Sequence, residues 1–153
     1  MARRRMFSLD IVDTDNFLDL PVSSQALYFQ LGMRADDDGF VGNPKKIAKV
    51  CGASQNDLEL LEKRNFIHTF DSGVVVILAW KMNNYLQNDR YKETIYINEK
   101  RQLLVQDNGM YTICIQDVYT GKDSIDKNSI GNININSTNY INVDDYNYID
   151  NYL

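Results

Sequence analysis

Residues 43–66, NPKKIAKVCGASQNDLELLEKRNF, contain two short helix-like runs joined at Gly52. Pro44 suits the first turn of a helix, and Gly52 favours the left-handed backbone that ends the first run. Ser54 is the type of residue that caps a helix N-terminus, and Asp57 places an acid in the first turn of the second run. The stretch therefore predicts two helices that meet at a tight turn.

The spacing of small and apolar residues in this stretch is typical of a helix-turn-helix. Ala48, Gly52 and Leu58 follow the pattern Ala-x3-Gly-x5-Leu, which provides a close helix contact, a turn and an apolar anchor. The match is of moderate specificity, because other tight helical corners produce the same pattern. The side chains predicted to face the core are Ile47, Val50, Leu58 and Leu61.

A longer helix is predicted before this stretch. Ser23 or Ser24 is expected to accept hydrogen bonds from the free amides of its first turn. Leu27 and Leu31 lie on one face at positions i and i+4, and the turn Asp36–Gly39 ends the helix. A few extended residues then lead back to the opening stretch.

A β-hairpin is predicted directly after the stretch. Two runs rich in β-branched and aromatic residues flank Asp71, Ser72 and Gly73, and this composition is typical of a hairpin turn. The predicted order is helix, short strand, helix, turn, helix and β-hairpin wing. The sequence therefore predicts an α+β fold built on a winged helix-turn-helix domain.

The pattern weakens beyond the hairpin. Residues 83–96 are predicted to form an ordered polar loop, residues 97–106 a short helix ending near residues 108–109, and residues 110–119 a strand. Residues 121–153 are rich in Asn, Ile and Tyr and are expected to be disordered by themselves. The predicted organisation is a winged-helix domain with a basic N-terminal arm in residues 1–106, a short extension in residues 107–120, and a low-complexity tail in residues 121–153.

The net charge of −5 arises in the C-terminal third of the chain. Residues 1–106 hold 14 Lys and Arg against 14 Asp and Glu, whereas residues 107–153 hold 2 against 7. Residues 40–106 carry a basic surplus, with 10 basic and 7 acidic side chains. The acids of residues 10–38 are expected to form a face turned away from any phosphate backbone. The charge distribution therefore permits a nucleic-acid partner.

In a winged helix, the third helix lies in the major groove and its first exposed residues reach base edges. Gln55 and Asn56 have the side chains that recognise adenine with two hydrogen bonds, and nearby cations are expected to contact phosphates. The residues Arg3 to Arg5 are either a phosphate-binding arm or merely a soluble terminus. The predicted DNA-binding residues are Arg3, Arg4, Arg5, Lys45, Lys46, Lys49, Ser54, Gln55, Asn56, Glu59, Lys63 and Arg64. A solvated polar face and a protein-binding surface are the competing interpretations of the same residues.

The sequence contains no motif for catalysis, metal binding or membrane insertion. It has neither GxxxxGK[ST] nor GxGxxG, and Asp36–Asp38 lack the alternating donors and closing Glu of an EF-hand. Cys51, Cys114 and His68 are too few for a structural zinc site, and Trp80 is predicted to lie in the core. No apolar run approaches about 18 residues. We therefore expect a non-enzymatic, cytoplasmic protein without cofactor or metal.

Three longer segments carry a family resemblance. They are MARRRMFSLDIVDTDNFLDLP (residues 1–21), SSQALYFQLGMRADDDGFVGNPKKIAK (residues 23–49) and WKMNNYLQNDRYKETIY (residues 80–96). Together they resemble the N-terminal part of replisome organiser, or replication initiation, proteins of phages and prophages of Gram-positive bacteria. Those proteins are similar to DnaD-like initiators, which have an N-terminal winged helix. GKDSIDKNSIG (residues 121–131) also resembles the polar linker that follows in that family.

The resemblance implies that residues 44–64 read double-stranded DNA at a phage replication origin in a bacterial host cell. It also implies that the host replicative helicase or its loader is a partner. A homo-oligomer is expected, because a single winged helix reads only a few base pairs. Family members continue into a further helical domain, so a shortened member without the assembly domain is a further expectation. The alternatives are a winged-helix transcriptional regulator and an adaptor that binds a host replication or defence protein.

Overall fold

A computed structural model describes residues 4–86 and 88–114. They lie in the first of the two units into which the chain divides, Met1–Asp117. The helices are α1 (Leu9–Val12), α2 (Asp15–Leu18), α3 (Val22–Arg34), α4 (Pro44–Val50), α5 (Gln55–Lys63), α6 (Trp80–Asn83) and α7 (Ile97–Lys100). The strands are β1 (Phe40–Val41), β2 (Ile67–Thr69), β3 (Val75–Ile77), β4 (Leu103–Val105) and β5 (Tyr111–Ile113). The fold is therefore mixed α+β, as predicted.

Strands β1, β3 and β2 form a small antiparallel sheet in that spatial order. Val76, in the central strand, is opposite Phe40 on one side and His68 on the other. All three residues of β3 are buried, which suits its β-branched sequence Val-Val-Ile. The predicted hairpin is confirmed, because β2 and β3 are antiparallel neighbours and Gly73 in the turn has a φ of 82°.

The hydrophobic core lies where the helices pack on this sheet. Leu27 and Leu31 on α3 are fully buried, which confirms that they share an inward face. Phe17, Tyr28 and Phe66 contact one another edge to face, with ring centroids 5.3 to 5.6 Å apart. Burying one such side chain contributes about 1.5–3 kcal/mol to folding, so this cluster anchors α2 and α3.

The N-terminal segment is hydrogen-bonded to the last residue of α6 and to the residue that follows it. The Met6 amide donates to Asn84 Oδ1, and the Ser8 amide donates to Asn83 Oδ1, each at 2.9 Å. Both asparagines are buried, so these bonds satisfy side chains that would otherwise be costly to bury. These bonds therefore hold the N-terminal segment against residues about 75 positions further along the chain. Trp80, at the start of α6, is buried, which confirms the prediction of a core residue.

Helix α3 begins without the serine cap that the sequence predicted. Its N-cap is Pro21, and no side chain caps the first turn. Ser23 Oγ and Ser24 Oγ instead donate to Asp57 Oδ1 on α5, at 2.7 and 2.6 Å. The capping prediction is wrong because a buried carboxylate offers these hydroxyls a stronger, charge-assisted partner.

The buried face of helix α4 differs from the predicted one. Pro44, Ile47 and Ala48 are buried and follow the i, i+3, i+4 spacing of one helix face. Val50 falls outside that stripe and is 72% exposed. The prediction for Ile47 is confirmed, and the prediction for Val50 is wrong.

The segment predicted as a helix up to residues 108–109 contains a short helix and a strand. Helix α7 ends at Lys100, and β4 then pairs with β5, with Leu103 opposite Ile113. The antiparallel partner supplies hydrogen bonds that local helical spacing cannot anticipate. Strand β5 confirms a strand at Tyr111–Ile113, and the hairpin crosses the predicted boundary at residues 106–107.

The polar loop was predicted over residues 83–96, but Asn83 is the last residue of α6. Residues 84–86 and 88–96 contain neither helix nor strand, as predicted. The predicted tail, residues 121–153, and residues 115–120 of the extension lie outside the described residues. No helix within residues 4–86 and 88–114 is long and apolar enough to cross a membrane.

Candidate nucleic-acid interface

Helices α4 and α5 meet at the corner that the opening stretch predicted. Gly52 has a φ of 74°, and the Ala53 amide donates to Ala48 O at 2.9 Å. A Cβ at Gly52 would contact nothing within 4 Å, so the backbone conformation rather than space favours glycine. Ala48 and Leu58 are buried on either side, which holds α5 at a defined position on the core.

The N-terminus of α5 is capped as predicted. The Ser54 amide and Ser54 Oγ both donate to Asp57 Oδ2, at 2.7 and 2.9 Å, within a capping box. Asp57 Oδ1 accepts from the two α3 serines, so one carboxylate caps α5 and joins it to α3. Burial raises the pKa of Asp57, but hydrogen bonds from Ser24, Ser54 and Ser23 outweigh burial and lower that pKa to about 2.

Asp57→Asn is expected to lower the free energy of unfolding by about 2 kcal/mol at neutral pH, because Asp57 is 8% exposed and each pKa unit is worth about 1.4 kcal/mol. The folded pKa lies below the ordinary value of 3.8, so the contribution is complete above that value and is lost as pH falls towards 2. Urea unfolding at several pH values measures the difference from the parent protein. A difference that stays constant down to acidic pH would contradict the assignment, and exposed Asp71→Asn is the control.

The outer faces of α4 and α5 carry exposed polar side chains. These are Lys45, Lys46 and Lys49 on α4, and Gln55, Asn56, Glu59 and Lys63 on α5. Within the described part of the chain, none of the four lysines forms an ion pair with a carboxylate. Gln55 Nε2 donates to Glu59 Oε1 at 3.3 Å, so these two side chains are associated. The structure thus brings seven of the predicted residues onto neighbouring helices.

Two other predicted residues near α5 are already engaged. Ser54 is exposed, but its hydroxyl is bonded to Asp57. Arg64 Nη1 donates to Asn16 Oδ1 at 3.1 Å, and Asn16 Nδ2 donates back to Arg64 O at 3.2 Å. A phosphate contact from either side chain would compete with these bonds.

The N-terminal arginines do not form one free arm. Arg3 lies outside the described residues, and Arg4 is exposed. The Arg5 side chain is only 2% exposed; both of its Nη atoms lie 3.1 Å from Asp37 Oδ1, and Nη2 also donates to Ala35 O at 2.7 Å. Its guanidinium lies 5.2 Å from the centre of the Trp80 ring. The prediction that Arg5 belongs to a phosphate-binding arm is therefore wrong, because Asp37 neutralises its charge inside the fold.

The acidic turn before β1, residues 36–39, also has buried side chains. The side chains of Asp37 and Asp38 are fully buried, so these acids do not contribute to the expected outward acidic face. Asp38 Oδ2 accepts from Tyr91 Oη, the Thr94 amide and Lys100 Nζ at 2.8 to 3.0 Å. Burial raises the pKa of Asp38, but these bonds outweigh burial and lower it. Asp38 thereby ties the polar loop to the core.

The turn between β2 and β3 contributes no cation to this surface. Asp71, Ser72 and Gly73 are exposed, and the acid has the wrong sign for a phosphate contact. In the described residues, no group of three or more His, Cys, Asp or Glu side chains is placed to hold a metal ion. Cys51 and Cys114 are half-buried free cysteines.

No family model matches the chain, and neither a curated protein nor a solved structure shows a significant match to it.

Proposed function

We propose that the protein binds double-stranded DNA through a winged helix-turn-helix formed by α3, β1, α4, α5, β2 and β3. The element order and the sheet order β1-β3-β2 support this architecture. In it, α5 is the recognition helix, α4 crosses the phosphate backbone, and the β2–β3 hairpin is the wing.

The exposed lysines of α4 carry the proposal. Lys45, Lys46 and Lys49 extend from a helix whose opposite face is buried, so they share the outer surface. Because they have no carboxylate partner in the described part of the chain, phosphate contacts would not have to break an internal ion pair. Such contacts provide affinity and orientation without selecting a sequence.

Sequence selection is assigned to the start of α5. Gln55 and Asn56 are exposed there, and either amide can form two hydrogen bonds with adenine. Glu59 lies one turn further along and accepts from Gln55, which restrains the Gln55 side chain. Lys63 and Arg4 are proposed phosphate contacts, whereas Arg5 is excluded because it pairs with Asp37.

A phage replication origin is the proposed target, with the protein acting as a replisome organiser. This part of the proposal rests on the resemblance of the three sequence segments to replication initiators. Its proposed partners are the host replicative helicase or helicase loader, and a homo-oligomer would extend the DNA site beyond the few base pairs of one domain.

A protein-binding adaptor is the second candidate function. The observation that favours it is the outer hairpin, where Leu104 and Val105 are each more than half exposed. Exposed apolar side chains on a short strand are suited to pairing with another protein. An adaptor of this kind would not need the α4 lysines.

The discriminating experiment is a titration of the full-length protein against labelled duplex tiles that cover its own gene and flanks. We expect one tile to bind far more tightly than the others, with affinity falling steeply between about 50 and 200 mM salt. Equal weak binding to all tiles would contradict origin recognition. Binding to no tile would refute DNA binding and favour the adaptor. A binding site over a promoter outside the replication region would favour a transcriptional regulator.

A further inference from the structure

A groove of about 520 Å³ opens beside the N-terminal end of α4. Its lining includes Arg34 from the end of α3, Phe40 from β1, and Lys92, Ile95 and Tyr96 from the polar loop. This volume falls within the range of about 300–1,000 Å³ that is typical of ligand sites. None of these side chains except Phe40 belongs to the buried core.

The two cations that line the groove are not neutralised by the described residues. Arg34 and Lys92 are exposed, and neither forms an ion pair there. Among the residues that the structure describes, Arg34 Nη1 donates only to its helix neighbour Gln30, through the carbonyl oxygen and the side-chain oxygen. Both cations can therefore turn towards an anion at low cost.

The two carboxylates that line the groove are, in contrast, engaged. Asp36 accepts from the Phe40 amide at 3.0 Å and from Thr94 Oγ1 at 2.5 Å. Glu93 accepts from Lys100 Nζ at 3.0 Å. Asp36 is half-buried and accepts from internal donors, and Glu93 is paired with Lys100. Arg34 and Lys92 are therefore the exposed, unpaired charges of the lining, and an anionic group would bind beside them.

Part of the remaining lining is apolar. Ile95 is 79% exposed, and the Tyr96 ring packs near Phe40 with centroids 6.1 Å apart. A Cβ at Gly42 would lie 1.9 Å from Tyr96 Oη, so glycine permits the tyrosine to lie against the backbone. A ligand that suits this groove therefore has an anionic group beside a planar or apolar one.

We propose that the groove binds a nucleotide of single-stranded DNA, with its phosphate at Arg34 and Lys92 and its base against Ile95 and Tyr96. Stacking on an aromatic ring beside a cationic track is the general mode of single-strand binding. A free nucleotide has the same chemistry, but Asn43 also lines the groove and directly precedes α4. A strand that left the groove at Asn43 would reach the first turn of α4, where Lys45 and Lys46 are exposed, and this favours a polymer.

The test is a fluorescence anisotropy titration of full-length protein with a labelled oligothymidylate of about eight nucleotides. The double variant Arg34→Gln, Lys92→Gln is expected to bind at least about tenfold more weakly, because it removes two charge-assisted contacts. The control variant Arg90→Gln, Arg101→Gln removes the same charge from exposed sites outside the groove and is expected to bind like the parent. Equal weakening of both variants would overturn the assignment.

Two further measurements test the apolar contact and distinguish a DNA strand from a free nucleotide. Ile95→Ser, at an exposed position, is expected to weaken oligothymidylate binding several-fold, and no change would contradict base contact. Thymidine monophosphate is expected to compete poorly, whereas competition as strong as that of the oligonucleotide would overturn the choice of a strand. The groove variants are expected to bind duplex tiles like the parent, so failure of duplex recognition and failure of the groove proposal give different results.

Discussion

Replacement of Lys45, Lys46 and Lys49 by Gln is expected to weaken binding to every duplex tile by roughly two to three orders of magnitude at about 0.1 M salt. Three phosphate contacts would be lost, so the slope of log K against log salt concentration should become shallower by about 2.7. The measurement is an anisotropy titration of each tile at several salt concentrations. The order of preference among the tiles should survive, because phosphate contacts do not select sequence.

This triple variant is suitable because it removes no internal contact. The three side chains are exposed and unpaired within the described part of the chain, so its melting temperature should match that of the parent. Asn56→Ala is the matched comparison on α5. It should reduce the preference between tiles by about 1–3 kcal/mol while leaving the salt slope unchanged. Unchanged duplex binding by both variants would contradict the proposal that α4 and α5 contact the DNA.

Arg5→Met is expected to lower the free energy of unfolding by about 3–5 kcal/mol, because it leaves the buried Asp37 carboxylate without its cation. The melting temperature should fall by more than about 10 °C. The variant also removes the guanidinium from the Trp80 ring and from Ala35 O. Thermal unfolding followed by circular dichroism measures the effect.

The neighbouring Arg4 provides the control for this variant, because it has the same charge and is exposed. Arg4→Gln should change the free energy of unfolding by less than about 0.5 kcal/mol. A double variant, Arg5→Met with Asp37→Asn, should recover part of the loss because the unpaired charge is removed. If Arg5→Met costs no more than Arg4→Gln, the buried ion pair does not stabilise the fold.

Local sequence patterns predicted the elements whose causes are local. Leu27 and Leu31 share a buried face because a helix brings i and i+4 together. Ser54 and Asp57 form a capping box because they are three residues apart at a helix start. Gly73 marks the hairpin turn because its positive φ is a property of that one residue.

The missed features depend on residues that are distant in sequence. Arg5 and Asp37 are separated by 32 positions, and Asp38 and Lys100 by 62. Nothing in the spacing near Arg5 distinguishes an arginine that meets a phosphate from one that meets a buried carboxylate. The same limit applies to Ser24, whose hydroxyl could serve its own helix or a carboxylate on another.

In the candidate interface too, some features could be predicted from local sequence and others could not. Local spacing predicted the positions of Gln55 and Asn56 at the start of α5. It did not predict which basic side chains are bonded to other parts of the fold. Arg64 is bonded to Asn16, 48 residues away, and is less free than the nearby Lys63. A basic residue can therefore be located from sequence while its availability depends on the tertiary fold.

The bonds from Met6 to Asn84 and from Ser8 to Asn83 can form only after most of the described residues have been synthesised. Their partners lie 78 and 75 residues further along the chain. At a translation rate of about 5–20 residues per second, Met6 waits roughly 4–16 s for Asn84 to be made. The α4–α5 corner, whose contacts are short in sequence, can fold before then. Closure of the N-terminal segment is therefore a late event in the folding of the nascent chain, and the contacts of Lys100 and Tyr111 with Asp38 come later still.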